Sequence, residues 1–379
     1  METIRKVLAL AILSLFFIPA AAAPIQDKKP VHTAGCPAKC DICKKSIEGA
    51  LKYLVSRQEK SGSIPAIMKK NEFSVLLKNS ANVMTSALAG LALFAGGNSE
   101  KEGPYSDNVK KLNEHLVAII KDKLTKKKIE GDTWPAALCA IYFAHLHEKD
   151  KKDEKIKETL DILVKFLVKQ QTKKGGWSLG YSKSFFTESP DLTAAVNLVI
   201  IALAKAKSAG VEIDDAVFEK SRKYYAKVAN KKGFFNYKIE QDNGEPNQGR
   251  SIVSLFDLIL LGMDKEEKYK KSFELGRKNL KSAASHHVPH LHLLLSGLTF
   301  FSLGKDDWNN FIGHYYEGII KNQAKEGNIH QIIKFDKKIM MQSVTDHIFG
   351  DTYATACFAL LLQIPDGKIR LNCPVVAKK

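Results

Sequence analysis

Four histidines crowd one short stretch of the chain. His286, His287, His290 and His292 surround Pro289 at the start of an apolar run. On a helix, His286 or His287 shares a face with His290, the arrangement of a metal-binding pair. No third ligand holds a fixed position relative to them, so neither a metal nor a cofactor is expected. A capped or solvated cluster, or a ligand or acid–base site, is the remaining use of these imidazoles. Arg250, Ser254 and Asp257 fall at i, i+4 and i+7 of another apolar run, on one helical face, and Thr193 and Asn197 do likewise on a third. Such groups need partners when buried, either across helices or in a wet central cavity. Asp132, Asp191 and Asp351 each open an apolar segment, with His347 just before the last. Their recurrence points to helix N-caps, worth ~1 kcal/mol each, rather than to one special acid.

The cysteines admit several readings. Cys36-x3-Cys40-x2-Cys43 copies the spacing of a radical cluster motif, but no β/α barrel follows. Cys40-Asp41-Ile42-Cys43-Lys44 has the form of an unusual haem-attachment site, and a single copy is weak evidence. Structural disulfides are the plainer reading. Cys139 and Cys357 lie inside apolar segments as buried thiols. Cys373 lies in a polar, proline-containing tail, and a disulfide from it to one of Cys36, Cys40 or Cys43 is expected to tie the chain ends together.

The first residues read as a targeting segment. Arg5 and Lys6 precede the apolar run Val7 to Ile18, then Pro19 and Ala20 to Ala23. A charged start, an apolar stretch and small residues make a signal peptide over 1–22, with an uncleaved anchor as the alternative. The mature protein is then exported, periplasmic or secreted. It carries a charge of +16 once Glu2, Arg5 and Lys6 are removed. Of the 58 basic residues only six are arginine, and the lysines are interleaved with acids, as in Glu148 to Glu158. That pattern marks solvated helix faces and argues against nucleic acid as a partner. Membrane association is expected only weakly or through an uncleaved leader.

Beyond a cysteine-containing linker at 23–42, the elements that must position these residues are helices. Amphipathic segments at about 43–58, 107–125, 152–171, 214–229, 265–284 and 307–323 alternate with segments apolar nearly all round at about 82–96, 134–147, 191–207, 249–263, 289–303 and 351–363. A striped helix packs on one side, whereas one apolar all round is buried on two. An inner ring of six helices inside an outer ring of six satisfies both sets. A short motif marks the joins: Leu54-x3-Gln58-x3-Gly62, Leu167-x3-Gln171-x3-Gly175 with Gly176-Trp177, and Ile319-x3-Gln323-x3-Gly327. Tyr225-x3-Ala229-x3-Gly233 keeps the spacing without the glutamine. Recurrence at fixed internal spacing indicates stacked supersecondary units.

These joins, and Phe166 to Trp177 above all, resemble the QW-type repeats of the squalene cyclase and protein prenyltransferase (terpenoid cyclase-like) superfamily. The resemblance implies an all-α fold, a single (α/α)6 toroid of twelve helices in six hairpins over about residues 43–365, with a tail at 366–379. It does not carry the family's chemistry. Class II cyclases protonate an alkene with the middle acid of Asp-x-Asp-Asp; Ser189-Pro190-Asp191-Leu192 keeps only that middle acid. Prenyltransferases hold zinc with Asp-x-Cys and a histidine, whereas Asp351 and Cys357 stand six apart.

In such a ring every inner helix runs the same way, so all six inner N-termini open on one end. A ligand-binding mouth is expected there, drawing on Asp191, Arg250, Asp257, His286, His287, His290, His347 and Asp351. Two function classes follow. One is an exported toroid that binds an apolar molecule, a polymer or a partner protein. The other is an exported enzyme, cyclase-like or a polysaccharide lyase or hydrolase acting on an acidic substrate. A lyase needs a base and a charge-neutralising cation. The three tryptophans, Trp134, Trp177 and Trp308, are few for stacking on sugars.

Overall fold

The computed structural model describes residues 40–67, 72–125, 133–178, 191–239, 248–285, 288–330 and 344–375. The leader at 1–22, most of the linker, Cys36, Asp132, His286 and His287 lie outside them. The described residues form twelve α-helices: α1 Asp41–Ser56, α2 Glu72–Ala95, α3 Ser106–Thr125, α4 Thr133–Lys149, α5 Glu154–Lys169, α6 Thr193–Ser208, α7 Asp215–Val228, α8 Gln248–Leu260, α9 Glu267–Lys278, α10 Pro289–Leu303, α11 Lys305–Lys321 and α12 Val344–Gln363. Extended pairing among the described residues is limited to three isolated bridges, two of them at joins (Ala229 with Phe235, Gln323 with Ile329).

Even-numbered helices form the inner ring. Each packs on the next, α2 on α4, α4 on α6, and so on to α12, which returns to α2. Closure follows from hydropathy. In α4 every residue from Thr133 to His147 is buried, and in α6 every residue from Thr193 to Ala206. A helix with no polar face has no solvent side to offer. The outer helices bury a stripe only: α5 hides Ile156, Thr159, Leu160, Leu163, Val164 and Leu167, at helical spacing. Outer helices also carry side-chain caps, from Asp153 to Ile156 N and from Asp214 to Ala216 N.

The joins hold neighbouring outer helices together. Each glutamine amide spans its own loop and the next outer helix. Gln58 donates to Gly62 O and Asn108 O, both at 2.9 Å. Gln171 donates to Gly175 O at 3.3 Å and Val217 O at 2.8 Å. Gln323 donates to Gly327 O at 2.9 Å and Ser46 O at 2.8 Å, so the last outer helix grips the first. The join glycines have φ of +89°, +94° and +96°, and a Cβ there would lie 2.1–2.2 Å from a carbonyl oxygen of the next outer helix. Glycine is required twice over, by conformation and by contact. Two residues after each join glycine a buried side chain follows: Ile64, Trp177, Phe235 and Ile329. The backbone N–H of Ile64, Phe235 and Ile329 donates to Ser86, Ser251 and Thr355 of the following inner helix at 2.9–3.1 Å. Each join therefore also fixes the inner helix that comes after it.

The C-terminal tail packs on the ring and buries Ile369, Leu371 and Val375. Lys368 lies against Gly97 beyond α2. Val375 N donates to Leu260 O at 2.6 Å, and Arg222 donates to Leu261 O at 2.8 Å and to Val375 O. The tail thus crosses the end of the ring where inner helices finish. Cys373 Sγ lies 3.6 Å from Arg370 O and is bonded to neither Cys40 nor Cys43; the expected pairing with Cys36 falls outside the described residues. Burial of its apolar neighbours draws it toward α8 and away from α1.

Candidate functional site

The inner N-termini share one end of the ring, and two polar clusters are built there from the joins. The first lies where α6 and α8 begin. Asp191 is 2% exposed and has φ of +74°, a left-handed conformation that aspartate tolerates better than most side chains. Its carboxylate accepts from the Thr172 hydroxyl, and its carbonyl accepts from Tyr224 OH at 2.8 Å. The N-cap of α6 is Leu192, without a side-chain bond, so Asp191 is not the cap that its position suggested. Gly176 is the enabling residue: a Cβ there would stand 2.7 Å from Asp191 Oδ1. Thr193 Oγ1 donates to Asn236 O at 2.6 Å. Arg250 is buried; its Nε and Nη2 donate to Phe235 O at 3.3 and 3.2 Å, and its guanidinium lies 5.2 Å from the Tyr237 ring centre. Burial lowers the guanidinium pKa to about 10, so the charge persists at neutral pH.

The second cluster lies where α12 begins. Gly350, with φ 72° and ψ −168°, interrupts α12. Its break presents Asp351 to the join ahead. Asp351 Oδ2 lies 2.8 Å from His330 Nδ1, an ion pair when the ring is protonated, and accepts from Asn328 Nδ2 at 2.9 Å; Asn328 Nδ2 also lies 3.4 Å from His330 Nδ1. The His330 side chain is 54% exposed and that of Asp351 35%. Because Nδ1 is held by the carboxylate, Nε2 is the ring nitrogen left for other work. Tyr53, near the end of α1, lies close to Thr352 and Asp351, and Arg57, one turn on, lies close to Tyr53. Burial pushes the Tyr53 phenol up, with Thr352 and Arg57 opposing and Asp351 reinforcing the rise.

Asp257 belongs to neither cluster. It is fully buried between α8, α6 and α7, where Tyr225 OH donates to Oδ2. Asn197, with its amide nitrogen turned toward the acid, donates to Oδ2 at 3.0 Å. Oδ1 has no partner among the described residues. Burial drives this carboxyl well above the usual range, so it is a neutral acid. Ser254 donates to Arg250 O at 3.0 Å. The polar groups of α6 and α8 thus pair between layers.

His290 is 1% exposed, edge-on to Phe358 at 4.9 Å and to Tyr353 at 6.5 Å. The His347 backbone lies in the first turns of α12, and its side chain is not described. His286 and His287 fall outside the described residues, which contain no group of three or more His, Cys, Asp or Glu able to hold a metal. In the ring order α6 and α12 are three places apart of six, so Asp191 and Asp351 face each other across the mouth rather than forming a pair.

His330, Asn328 and Tyr53 were not singled out from sequence. A signal for two of them existed: His330 stands three residues past join glycine Gly327, as Asn236 does past Gly233, and Asn328 one residue past, as Gly176 does past Gly175. The residues that follow the joins line the mouth.

No family model and no curated protein matches the chain. Solved structures do, across most of their length. An inactive variant of the α-1,6-mannanase GH76A of Salegentibacter sp. HEL1_6, in complex with α-1,6-mannotriose, is 13% identical with a TM-score of 0.57, covering 86% of this chain and 99% of that one. Unsaturated glucuronyl hydrolase from Streptococcus agalactiae is 11% identical with a TM-score of 0.56, covering 92% and 97%. An Asp→Asn variant of the same hydrolase, complexed with dGlcA-GalNAc6S, is 10% identical with a TM-score of 0.51, covering 85% and 90%. The chain shares their all-helical toroid, and at these identities the likeness is one of fold.

Proposed function

We propose that this chain is an exported toroid enzyme that acts on an acidic saccharide at its N-terminal mouth by proton abstraction and β-elimination. The observation that carries this reading is the His330–Asp351–Asn328 cluster with Tyr53 close to Asp351 and Arg57 close to Tyr53. Asp351 orients the imidazole through Nδ1, which leaves Nε2 to accept the proton on the carbon next to the substrate carboxylate. Arg57 neutralises that carboxylate as charge develops on it. The Tyr53 hydroxyl, kept protonated by burial, donates to the departing glycosidic oxygen. One C–H and one C–O bond break, one C=C bond forms, and the products are a new reducing end and an unsaturated uronic residue. Support also comes from the shared fold with proteins whose structures hold saccharides, one of them acidic, and from the net charge, +17 for the whole sequence and +16 without the leader. Elimination suits the site better than hydrolysis by paired carboxylates, which requires two carboxyl groups about 5–9.5 Å apart; Asp191 and Asp351 stand on opposite sides of the ring and Asp257 is sealed between layers. Export is proposed on the leader-like segment at 1–22.

The test is incubation with polyuronides and sulfated glycosaminoglycan fragments, with neutral α-mannan as control, reading both new reducing ends and the ultraviolet absorbance of the unsaturated product. Absorbance rising with reducing ends on acidic substrates only, and falling by about 10²–10⁴-fold in His330→Gln, is the expected result. Reducing ends without the chromophore, or turnover of mannan alone, overturns the elimination reading. No turnover of any acidic saccharide overturns the substrate class.

A further inference from the structure

The outer-wall seam between α1 and α11 holds a feature unconnected with the mouth. Cys40 is the N-cap of α1, with φ −71° and ψ 162°, and Cys43 lies in its first turn. Their sulfurs share a hydrogen bond at 3.1 Å. Cys40 is partly exposed, whereas Cys43 is fully buried. Tyr316 of α11 bonds Cys43 Sγ through its hydroxyl and lies 3.7 Å from Cys40 Sγ. Burial, followed by the two sulfurs, raises the Tyr316 phenol, so it stays protonated and able to donate to a thiolate.

Two thiols three residues apart at a helix start have the reach for a disulfide. An S–S bond is about 2.05 Å long, so closure needs a movement of about 1 Å, within the range of small side-chain rotations. The first-turn N–H groups have no partner within the helix, and they favour a thiolate at Cys40. The exposed Asp41 carboxylate opposes this, and Lys44, 3.9 Å from it, offsets part of that charge. One sulfur is open to a reactant and the other is shielded behind it beside a proton donor, an arrangement that separates an attacking thiol from a resolving one.

We propose that Cys40 and Cys43 form a thiol–disulfide exchange site whose co-reactant is a disulfide, of a small thiol or of a protein. The Cys40 thiolate attacks one sulfur of the incoming disulfide, forming a mixed disulfide and releasing the first thiolate, which takes up a proton. Cys43, deprotonated in turn, attacks Cys40 Sγ, forming Cys40–Cys43 and releasing the second thiol. Two cysteines lose two electrons and two protons, and the incoming disulfide becomes two thiols. Tyr316 assists by hydrogen-bonding the Cys43 thiolate before it attacks. The reverse exchange with reduced thiols restores the pair. Oxidation then changes the α1–α11 contact beside Gln323 and Ser46, where the ring closes.

The experiment uses the full mature chain equilibrated in glutathione buffers from reducing to oxidising, acid-quenched, alkylated and mapped by mass spectrometry. The expected result is a Cys40–Cys43 disulfide that appears and disappears with the buffer poise, while Cys139 and Cys357, both fully buried, stay unmodified. In Cys43→Ser, glutathione is trapped on Cys40. In Tyr316→Phe, resolution of the mixed disulfide slows about tenfold, the loss of one hydrogen bond to a charged sulfur. A protein-disulfide substrate that oxidises the pair faster than glutathione identifies a protein source, and the converse a small thiol. The proposal is overturned if Cys40 and Cys43 both remain alkylatable at the most oxidising poise. Mapping of Cys40 to Cys36 or Cys373, or glutathione on Cys373 alone in Cys43→Ser, overturns it equally.

Discussion

Gly175→Ala tests whether the joins hold the ring through close backbone approach. Gly175 has φ of +94°, and a Cβ there would stand 2.1 Å from Lys220 O of α7. The backbone conformation alone costs alanine about 1–2 kcal/mol. The contact cannot be relieved by a side-chain rotation, because the opposing atom is a backbone carbonyl inside a helix. The join must retreat from α7 by about 1 Å to restore an ordinary contact, which stretches the 2.8 Å bond from Gln171 to Val217 O beyond useful length and forfeits about 1 kcal/mol more. The expected destabilisation is about 3 kcal/mol. Gly262→Ala is the control: its φ is +72°, and no atom lies within 4 Å of where its Cβ would be, so only the conformational cost of about 1–2 kcal/mol applies. Urea unfolding followed by circular dichroism compares the two, and a gap of about 1–2 kcal/mol is expected. Equal losses in the two variants would refute the argument that the carbonyl contact, rather than the left-handed conformation, selects glycine at the joins.

Asp257→Asn removes a pH dependence. The folded pKa of Asp257 lies above its unfolded value, so its contribution is complete below about pH 4 and is lost as pH rises through the folded value. Urea midpoints of the wild type should fall relative to the asparagine variant on going from acid to neutral pH; parallel profiles would contradict a buried neutral acid. Arg222→Ala removes the bonds to Leu261 O and Val375 O and should cost about 1–3 kcal/mol, with faster proteolysis of the tail after Gly367 as the local readout. Gln323→Ala removes the bonds to Ser46 O and Gly327 O. It should raise hydrogen exchange in α1 more than in α5, whereas uniform exchange would mean the seam is held elsewhere. Asn328→Gly, which copies Gly176 of the facing join, should leave the unfolding midpoint within about 1 kcal/mol while lowering turnover of an acidic saccharide, since Asp351 Oδ2 loses its amide donor.

Most of the ring was legible because hydropathy states the layer of each helix directly. α5 declares its buried stripe and α6 declares that it has no exposed side. The joins were legible because three of them set a glutamine at one distance from a glycine and the fourth keeps the same spacing. The same property that revealed the inner helices hid their orientation. Arg250 and Asp257 do share a face of α8, as their spacing indicated, and they bond Phe235 O and Tyr225 OH respectively. A helix apolar all round gives no sign of which face turns outward, and this one turns toward α7 and the preceding join. His330 was missed for a different reason. Its partner Asp351 lies 21 residues further on, beyond the reach of any helical spacing rule, and the pair exists only because Gly350 breaks α12.

The mouth clusters follow one construction. The backbone after each join glycine fixes the following inner helix, and the one to three residues after that glycine meet a polar side chain from its first turns. Asp191 lies against Gly176, Arg250 bonds Phe235 O, and Asp351 accepts from Asn328 and lies 2.8 Å from His330 Nδ1. The join glycine and glutamine secure the architecture, so the neighbouring positions can differ from unit to unit without loss of the ring. In one unit a glycine lets Asp191 become sealed in; in the facing unit asparagine and histidine leave Asp351 half-exposed and hydrogen-bonded. Meanwhile the tail lies across the other end, held by Arg222 and Leu260. The polar clusters are thereby concentrated where the repeats allow variation, at the end of the ring away from the tail, and the Cys40–Cys43 pair lies apart from them on the wall.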